Sequence, residues 1–578
     1  MPRHRLAPIK GSAPDRTLLR SLVGAADADD RLAVRVVMRP RPLGKRARLA
    51  GRYQRWMEGE PVRFSEREIV RLQSPDRTEL RELLAFARSV GLEVAGVSRP
   101  RHDVVLAGRS EVVADAFGVD FELFDSPVGP RRAHRGEIHL PTHLHESVVG
   151  VLGLDDLPRH RPAGVATGAG RSYSPRTIAR HYRFPASDAG GQRIAILAFG
   201  GGFHRSDLDQ YFKRVLRIEP PTIRTKLVGA AANAPMDRDV LARFVDAFNA
   251  PGATAAGLAR QFGPDILDWA KATLEVTLDC QIAGAVAPRA TLEVIFADPG
   301  SAGFYDAIYT AIGLGPTRCR PATVISISWG TSEAIWGGHL DVIDQALRAA
   351  AIRGITVVCS SGDFGSLNHP KSRRAQVNYP ASSRFVLAVG GTSMTSPPLR
   401  KRSNEVVWNR RALGMRCASG GGVSGHWPRP GYQRRVEPGP HARSWRNPHA
   451  GSRDAVRGIP DVAALADSVG AYRIWLGGRR TIGAGTSAAT PLWAGLIARM
   501  RHATRGTLQW VTPLLYRPEL DGAFTDVIRG HNRISRHGGA YHAHQGWDCC
   551  TGHGSPRGDR LLAALASLYE RARAKRER

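Results

Sequence analysis

RIAILAFGGG, residues 193–202, is an unbroken apolar run that ends in three glycines. A strand with no polar face is one buried on both sides, as in a parallel sheet covered by helices. Similar runs recur in TLEVIFA (291–297), ATVISISWG (322–330) and GITVVCSSGD (354–363). Helical stretches separate them, so β and α alternate over roughly 330 residues, which predicts an α/β fold built on a doubly wound parallel sheet. Active sites in such sheets lie at the carboxyl ends of the strands.

Upstream, residues 30–160 form a different unit. RLAVRVVMRP (31–40) reads as a strand and SEREIVRLQSPDRTELRELLAFARSVG (65–91) as a helical stretch, with Leu83, Leu84 and Phe86 as its apolar face and Gly91 as its stop. LEVAGV (92–97), DVVLAG (103–108), a helix through EVVADAFG (111–118) and a last strand, VDFELF (119–124), complete a βαββαβ order. That order suits a small ferredoxin-like α+β sandwich. Residues 1–29 precede it as an N-terminal extension. PRHRPAGVATGAGRS (158–172) is small, basic and turn-rich, the profile of an exposed linker open to proteolysis. The expected organisation is therefore 1–29, 30–160, a cleavable linker at 161–172, and 173–578.

Bulk properties exclude several classes. A chain of 578 residues is too long for one core. With 42% hydrophobic residues, 62 Gly and 38 Pro, it matches a loop-rich globular enzyme rather than a disordered chain. No run of about 18 apolar residues exists, so no membrane association is expected. The N-terminus is basic but lacks an apolar core segment, so secretion is expected without a recognisable signal peptide. The net charge of +30 is almost all arginine, spread from end to end without a recognition motif, and no specific nucleic-acid partner is expected. Six cysteines, two of them adjacent (Cys549, Cys550), allow one disulfide at most.

Four segments carry chemistry. In GAGTSAATPLWAGLIARM (483–500) a glycine-rich turn delivers Ser487 to the start of an apolar helix, where developing negative charge is favoured. A serine there needs a base, or it is only a helix cap. In ILDWAKATLEVTLDCQIAGAVAP (266–288), Glu275 and Asp279 stand one turn apart beside an apolar stripe of Leu274, Leu278 and Ile282. Two such carboxyls share a proton and accept another at low pH, where histidine is already charged; a solvated acidic face is the plainer alternative. Asp363 projects from the strand end in SSGDFGS; protonated, it donates to an oxyanion, and otherwise it caps a turn. Asp526 in FTDVIRGHN (524–532) and Asp548 in QGWDCCTGHGSP (545–556) lie among turns that offer carbonyls, an all-oxygen set suited to calcium.

In this order (ExxxD, SWG, SGD, GTSxxxP, then DV…GWD…GSP) the segments resemble the sedolisin family of serine-carboxyl peptidases over essentially the whole chain. The resemblance implies a subtilisin-like core behind an activation domain, with AFG (116–118) and LPTHLHESVVGVLGLD (140–155) as landmarks. It implies Ser487 as nucleophile, Glu275 as general base, Asp279 as its partner and Asp363 at the oxyanion. Trp329 would pack near the carboxyl pair and Gly330 would bond the substrate backbone. One calcium ion would be held by the side chains of Asp526 and Asp548 and the carbonyls of Val527, His544 and Gly546. The expected enzyme is a monomeric, self-processing, acid-acting endopeptidase on protein or peptide substrates, with tripeptide trimming as the alternative mode. Two departures stand out: Ala198 where some members carry a glutamate, and His544 where a glycine often supplies the carbonyl. A conventional subtilisin requires an aspartate on the first core strand and a histidine at an HGT-like helix start, and neither is present. A decayed, non-catalytic relative would have lost one of the four acting side chains, and all four remain.

Overall fold

The computed structural model describes residues 6–15, 18–19, 21–44, 48–125, 129–159, 161–162, 172–250, 252–368, 372–399, 405–411, 416–436, 456–536 and 540–577. Its N-terminal part begins with β1 (Arg31–Met38), followed by α1 (Arg48–Met57), α2 (Glu66–Gln73) and α3 (Arg77–Ser89). The stretch read as one helix over 65–91 is thus two. Ser65 and Glu68 form a reciprocal capping box at the start of α2. The helix then ends at Ser74, because Pro75 has no N–H to donate and restricts the residue before it. Asp76 starts α3 afresh by accepting from the Thr78 N–H.

β2 (Glu93–Ser98), β3 (Asp103–Arg109) and α4 (Ser110–Phe117) follow, then β4 (Asp120–Phe124) and β5 (Val148–Leu152). The four-stranded antiparallel sheet has the order β2-β3-β1-β5, the ferredoxin-like arrangement. Its fourth strand is β5, not the expected VDFELF. β4 joins Leu22–Ala25 and Arg131–Arg135 in a separate three-stranded sheet. The place beside β1 packs against the helix His339–Ile352 of the C-terminal part, and all five residues of β5 are buried, whereas Asp120 and Glu122 of β4 would strand charges there.

The remaining chain builds the parallel-sheet core. β6 (Arg161–Pro162) precedes β7 (Arg193–Ala198) and β8 (Thr222–Val228), then α5 (Pro264–Val286), β9 (Thr291–Ala297) and α6 (Ser301–Ala311). Next come β10 (Val324–Ile327), β11 (Trp329–Ser332), α7 (His339–Ile352), β12 (Thr356–Ser360) and β13 (Asn378–Tyr379). β14 (Val386–Met394), β15 (Glu405–Val407), β16 (Val462–Leu465) and α8 (Thr486–Ala503) complete the elements that shape the site. Seven strands run parallel in the order β8-β9-β7-β10-β12-β14-β16, with β15 antiparallel on the end of β14. The four apolar runs of the sequence are the contiguous centre of that sheet, β9-β7-β10-β12. α5 and α8 pack on each other, and α8 also lies against β10, β12 and β14.

The two parts dock through the β1–β5 sheet. β5 lies against α7, and Asp306 of α6 accepts from Arg35, at 3.1 Å, and from Arg101. The six cysteines are free thiols. Among the described residues no helix is long and apolar enough to cross a membrane.

Candidate active site

The carboxyl edge of the parallel sheet is where α8 begins. Gly485, with φ +89°, precedes it; a Cβ there would come within 2.5 Å of Asp363 Oδ2, so both the turn and the close approach require glycine. Asp363, three residues past the end of β12, holds the helix mouth: its Oδ1 accepts from the Thr486 N–H and from Thr486 Oγ1, both at 2.8 Å. The first N–H groups of a helix have no partner within it, and Oδ1 supplies one. Ser487 follows at once, buried, with its hydroxyl donating a long 3.5 Å bond to the carbonyl of Ser328.

α5 brings in the acids. Pro264 opens the helix at a position where its missing N–H costs nothing. From Ala272 to Val286 the helix is buried on every side, deeper than the single apolar stripe in its sequence suggests. Glu275 and Asp279 are therefore buried as well, at 5% and 0% exposure. Burial pushes the Glu275 carboxyl well above its usual range, and the neighbouring charge of Asp279 adds to this; the hydroxyls of Ser487 and Ser328 pull the other way. Burial likewise pushes Asp279 well up, opposed by Ser328. Glu275 Oε1 has no hydrogen-bond partner of normal geometry among the described residues, although both hydroxyls are near enough to favour its charged form. Ser487, Glu275, Asp279 and Asp363, from three separate stretches of chain, thus meet in one place.

Ser328 was passed over in the sequence. Its Oγ donates to Asp279 Oδ1 at 2.8 Å, and its carbonyl faces Ser487. SISWG contains it, but a serine at a strand end carries no local mark of such a contact.

Trp329 and Gly330 lie on β11. The Trp329 indole meets Phe199 edge-on at 6.0 Å. A Cβ on Gly330 would come within 2.6 Å of Asn378 Nδ2 and 2.7 Å of the Tyr379 carbonyl, so glycine lets β11 lie close on β13. The opposite edge of β11 is taken by β6: Arg161 pairs antiparallel with Gly330 and Pro162 with Trp329. The rest of the expected cleavage linker, apart from Ser172, lies outside the described residues.

A second cluster stands at the C-terminal end. Asp526 Oδ2 accepts from the Gly546 N–H at 2.7 Å, and Asp548 Oδ2 from the His544 N–H at 3.3 Å. Asp548 Oδ1 accepts from the N–H groups of Cys550 and Thr551. Burial pushes Asp548 up to about 7 and raises Asp526. The 526–527 turn and the 544–548 turn are therefore adjacent, with Val527 buried between them and the core.

A family model described as the subtilase family matches residues 266–521, and one described as the pro-kumamolisin activation domain matches 21–157. Kumamolisin of Bacillus sp. (strain MN-32) is 34% identical over 94% of this chain and 93% of its own length. Sedolisin of Pseudomonas sp. (strain 101) is 26% identical over 88% and 82%. Among solved structures, Pseudomonas sedolisin in complex with two molecules of pseudo-iodotyrostatin aligns with a TM-score of 0.54 and 25% identity, over 69% of this chain and 99% of that one. A subtilisin-like sheet whose serine meets buried acids, in a chain that matches kumamolisin almost end to end, belongs to the sedolisin family of serine-type peptidases, with that family's activation domain on its N-terminal side.

Proposed function

We propose that Ser487 is the nucleophile, Glu275 its general base, Asp279 the partner that shares a proton with Glu275, and Asp363 the donor to the oxyanion. The observation that carries this is the buried carboxyl pair on α5, set against a serine hydroxyl at the mouth of α8. Two desolvated carboxyls one turn apart resist double ionisation, so one proton stays between them over a wide pH range. In that state the pair still accepts the proton that Ser487 releases as its oxygen attacks a peptide carbonyl, and returns it to the leaving amine. Asp363, tied through Oδ1 to Thr486, has Oδ2 for the oxyanion if it carries a proton, the task a neutral amide performs elsewhere. Such chemistry belongs in an acidic compartment or medium, outside a neutral cytosol.

Glu275→Gln keeps the shape and removes the base. Turnover of an unfolded protein substrate at about pH 4 is expected to fall on the order of 10³-fold, with KM nearly unchanged. An enzyme of near wild-type rate would remove Glu275 from the mechanism.

Trp329 and Gly330 are read as substrate-binding positions on β11. What supports this is β6, a piece of the same chain's linker that pairs with them as an extended peptide would. It also explains how the precursor is held inactive: the groove is filled in cis, and cleavage is expected within 161–172.

One calcium ion fits the C-terminal cluster. Among the described residues no three acidic, histidine or cysteine side chains are placed to hold a metal ion together, and the ligand set that the resemblance implies uses two carboxylates, Asp526 and Asp548, with the carbonyls of Val527, His544 and Gly546. Both acids are raised by desolvation, a cost that a divalent cation offsets. Calcium there would tie two turns together and supply no chemistry to the peptide bond. A chelator is expected to lower the Tm of the enzyme by roughly 5 °C or more, and to have no effect on Asp548→Asn. Equal chelator responses in the two proteins would rule the site out.

A further inference from the structure

We infer that Ser328 is a positioning residue for the reaction: its side-chain hydroxyl fixes which oxygen of Asp279 carries the proton shared with Glu275. The inference rests on the serine–carboxyl reading above and concerns a residue outside the proposed triad.

Ser328 is the single residue between β10, which ends at Ile327, and β11, which begins at Trp329. The central sheet anchors it on one side and the substrate-binding strand on the other, and it is fully buried. It has little freedom to move. From this position the hydroxyl reaches across to α5 and donates to Asp279 Oδ1 at 2.8 Å, while the main-chain carbonyl of the same residue faces the Ser487 hydroxyl. The hydroxyl also lies 3.4 Å from the Ser487 carbonyl, but it has one proton, and the shorter contact takes it.

A neutral carboxyl has one oxygen that donates and one that only accepts. With Oδ1 engaged as an acceptor, the acidic proton of Asp279 belongs on Oδ2. Asp279 Oδ2 is buried and has no partner among the described residues, and the same is true of Glu275 Oε1. Two orphaned carboxyl oxygens on adjacent turns of one helix are satisfied together by one shared proton, and burial makes leaving them unsatisfied costly. Ser328 thus turns the acid so that its proton faces Glu275, and Glu275 keeps its remaining oxygen for Ser487. Without the hydroxyl, Oδ1 joins the unsatisfied atoms and the Asp279 carboxyl is free to flip, so the proton spreads over both of its oxygens.

The test is Ser328→Ala, assayed as processed enzyme against an unfolded protein substrate across pH. Because the hydroxyl donates to Asp279 and favours its charged form, its loss makes that acid harder to ionise. The acid limb of kcat is expected to move up by about half a pH unit or more, and kcat at the optimum to fall about tenfold, with KM within about twofold. Ser328→Thr, which keeps the hydroxyl, is expected to restore the limb. Added to Asp279→Asn, Ser328→Ala should cost nothing further, whereas a merely structural role in seating β11 would cost the same in either background. An unmoved acid limb in Ser328→Ala, or an undiminished cost in the Asp279→Asn background, overturns the inference. Turnover by Ser487→Ala in the same assay would instead sink the underlying triad, so the two failures are distinguishable.

Discussion

Held at about pH 4, the precursor is expected to cut its own linker within 161–172 and shed its N-terminal part, while at pH 7 it stays whole. The Ser487→Ala precursor is expected to remain intact at both. Removing a nucleophile costs on the order of 10⁵-fold or more in rate, enough to turn minutes into months. The variant should fold normally, since the deleted hydroxyl makes a long 3.5 Å bond to the Ser328 carbonyl and otherwise faces Glu275, and its loss leaves a void of a single atom. An inert precursor therefore reports on chemistry rather than on stability. Gel electrophoresis with intact-mass measurement of both proteins over a day decides the matter, and a pure Ser487→Ala preparation that processed itself would take the nucleophile away from residue 487. The pairing of Arg161 and Pro162 with β11 adds a further expectation: the first cut is intramolecular, so its rate is independent of protein concentration.

What the sequence made legible was what is local. Glu275 and Asp279 are four residues apart, so helix geometry alone puts them together. Ser487 stands after a glycine turn that only glycine can make. The four central strands are readable because burial on both faces leaves no polar residue to confuse the pattern. β8, at the sheet edge, is TIRTKLV, exposed along most of its length, and it offers neither an apolar run nor a clean alternation. VDFELF was rightly read as a strand, but which sheet it joins depends on the partner surface, and VVGVL had the better claim to the buried place. Ser328 failed for the same reason in sharper form. Its meaning is a 2.8 Å contact with a residue 49 positions away, and no window of sequence contains both.

The release of the activation domain is expected to be driven by histidines buried between the two parts of the precursor. His102, in the turn between β2 and β3, bonds the Met38 carbonyl through Nδ1 and contacts the Tyr309 hydroxyl of α6 at 3.4 Å, with Arg101, Arg348 of α7 and Arg353 just past its end close by. His339, at the start of α7, lies 3.7 Å from Asp155 beside Arg159 and His134 of the activation domain. Burial, reinforced by the arginines, drops both His102 and His339 to about 3, and burial lowers His134 too. Burial alone would raise Asp155, but Arg159, which bonds it at 2.7 Å, holds it below its usual value. The docked state therefore requires neutral imidazoles, whereas a separated pair of surfaces lets them charge near 6.5. Docking is at full strength above that pH and weakens as pH falls towards 3, by up to about tenfold per pH unit for each histidine. At pH 4 the loss amounts to roughly two orders of magnitude from each of the two, applied where the carboxyl pair of the site becomes competent. Replacing both with glutamine removes the titration without adding charge. The pH midpoint of self-processing in His102→Gln/His339→Gln is expected to fall by about one unit, while the pH–rate profile of the processed enzyme, which no longer holds His102, stays where it was. A midpoint that did not move would mean that the two surfaces part for some other reason, and would leave the catalytic carboxyls as the sole source of the acid dependence.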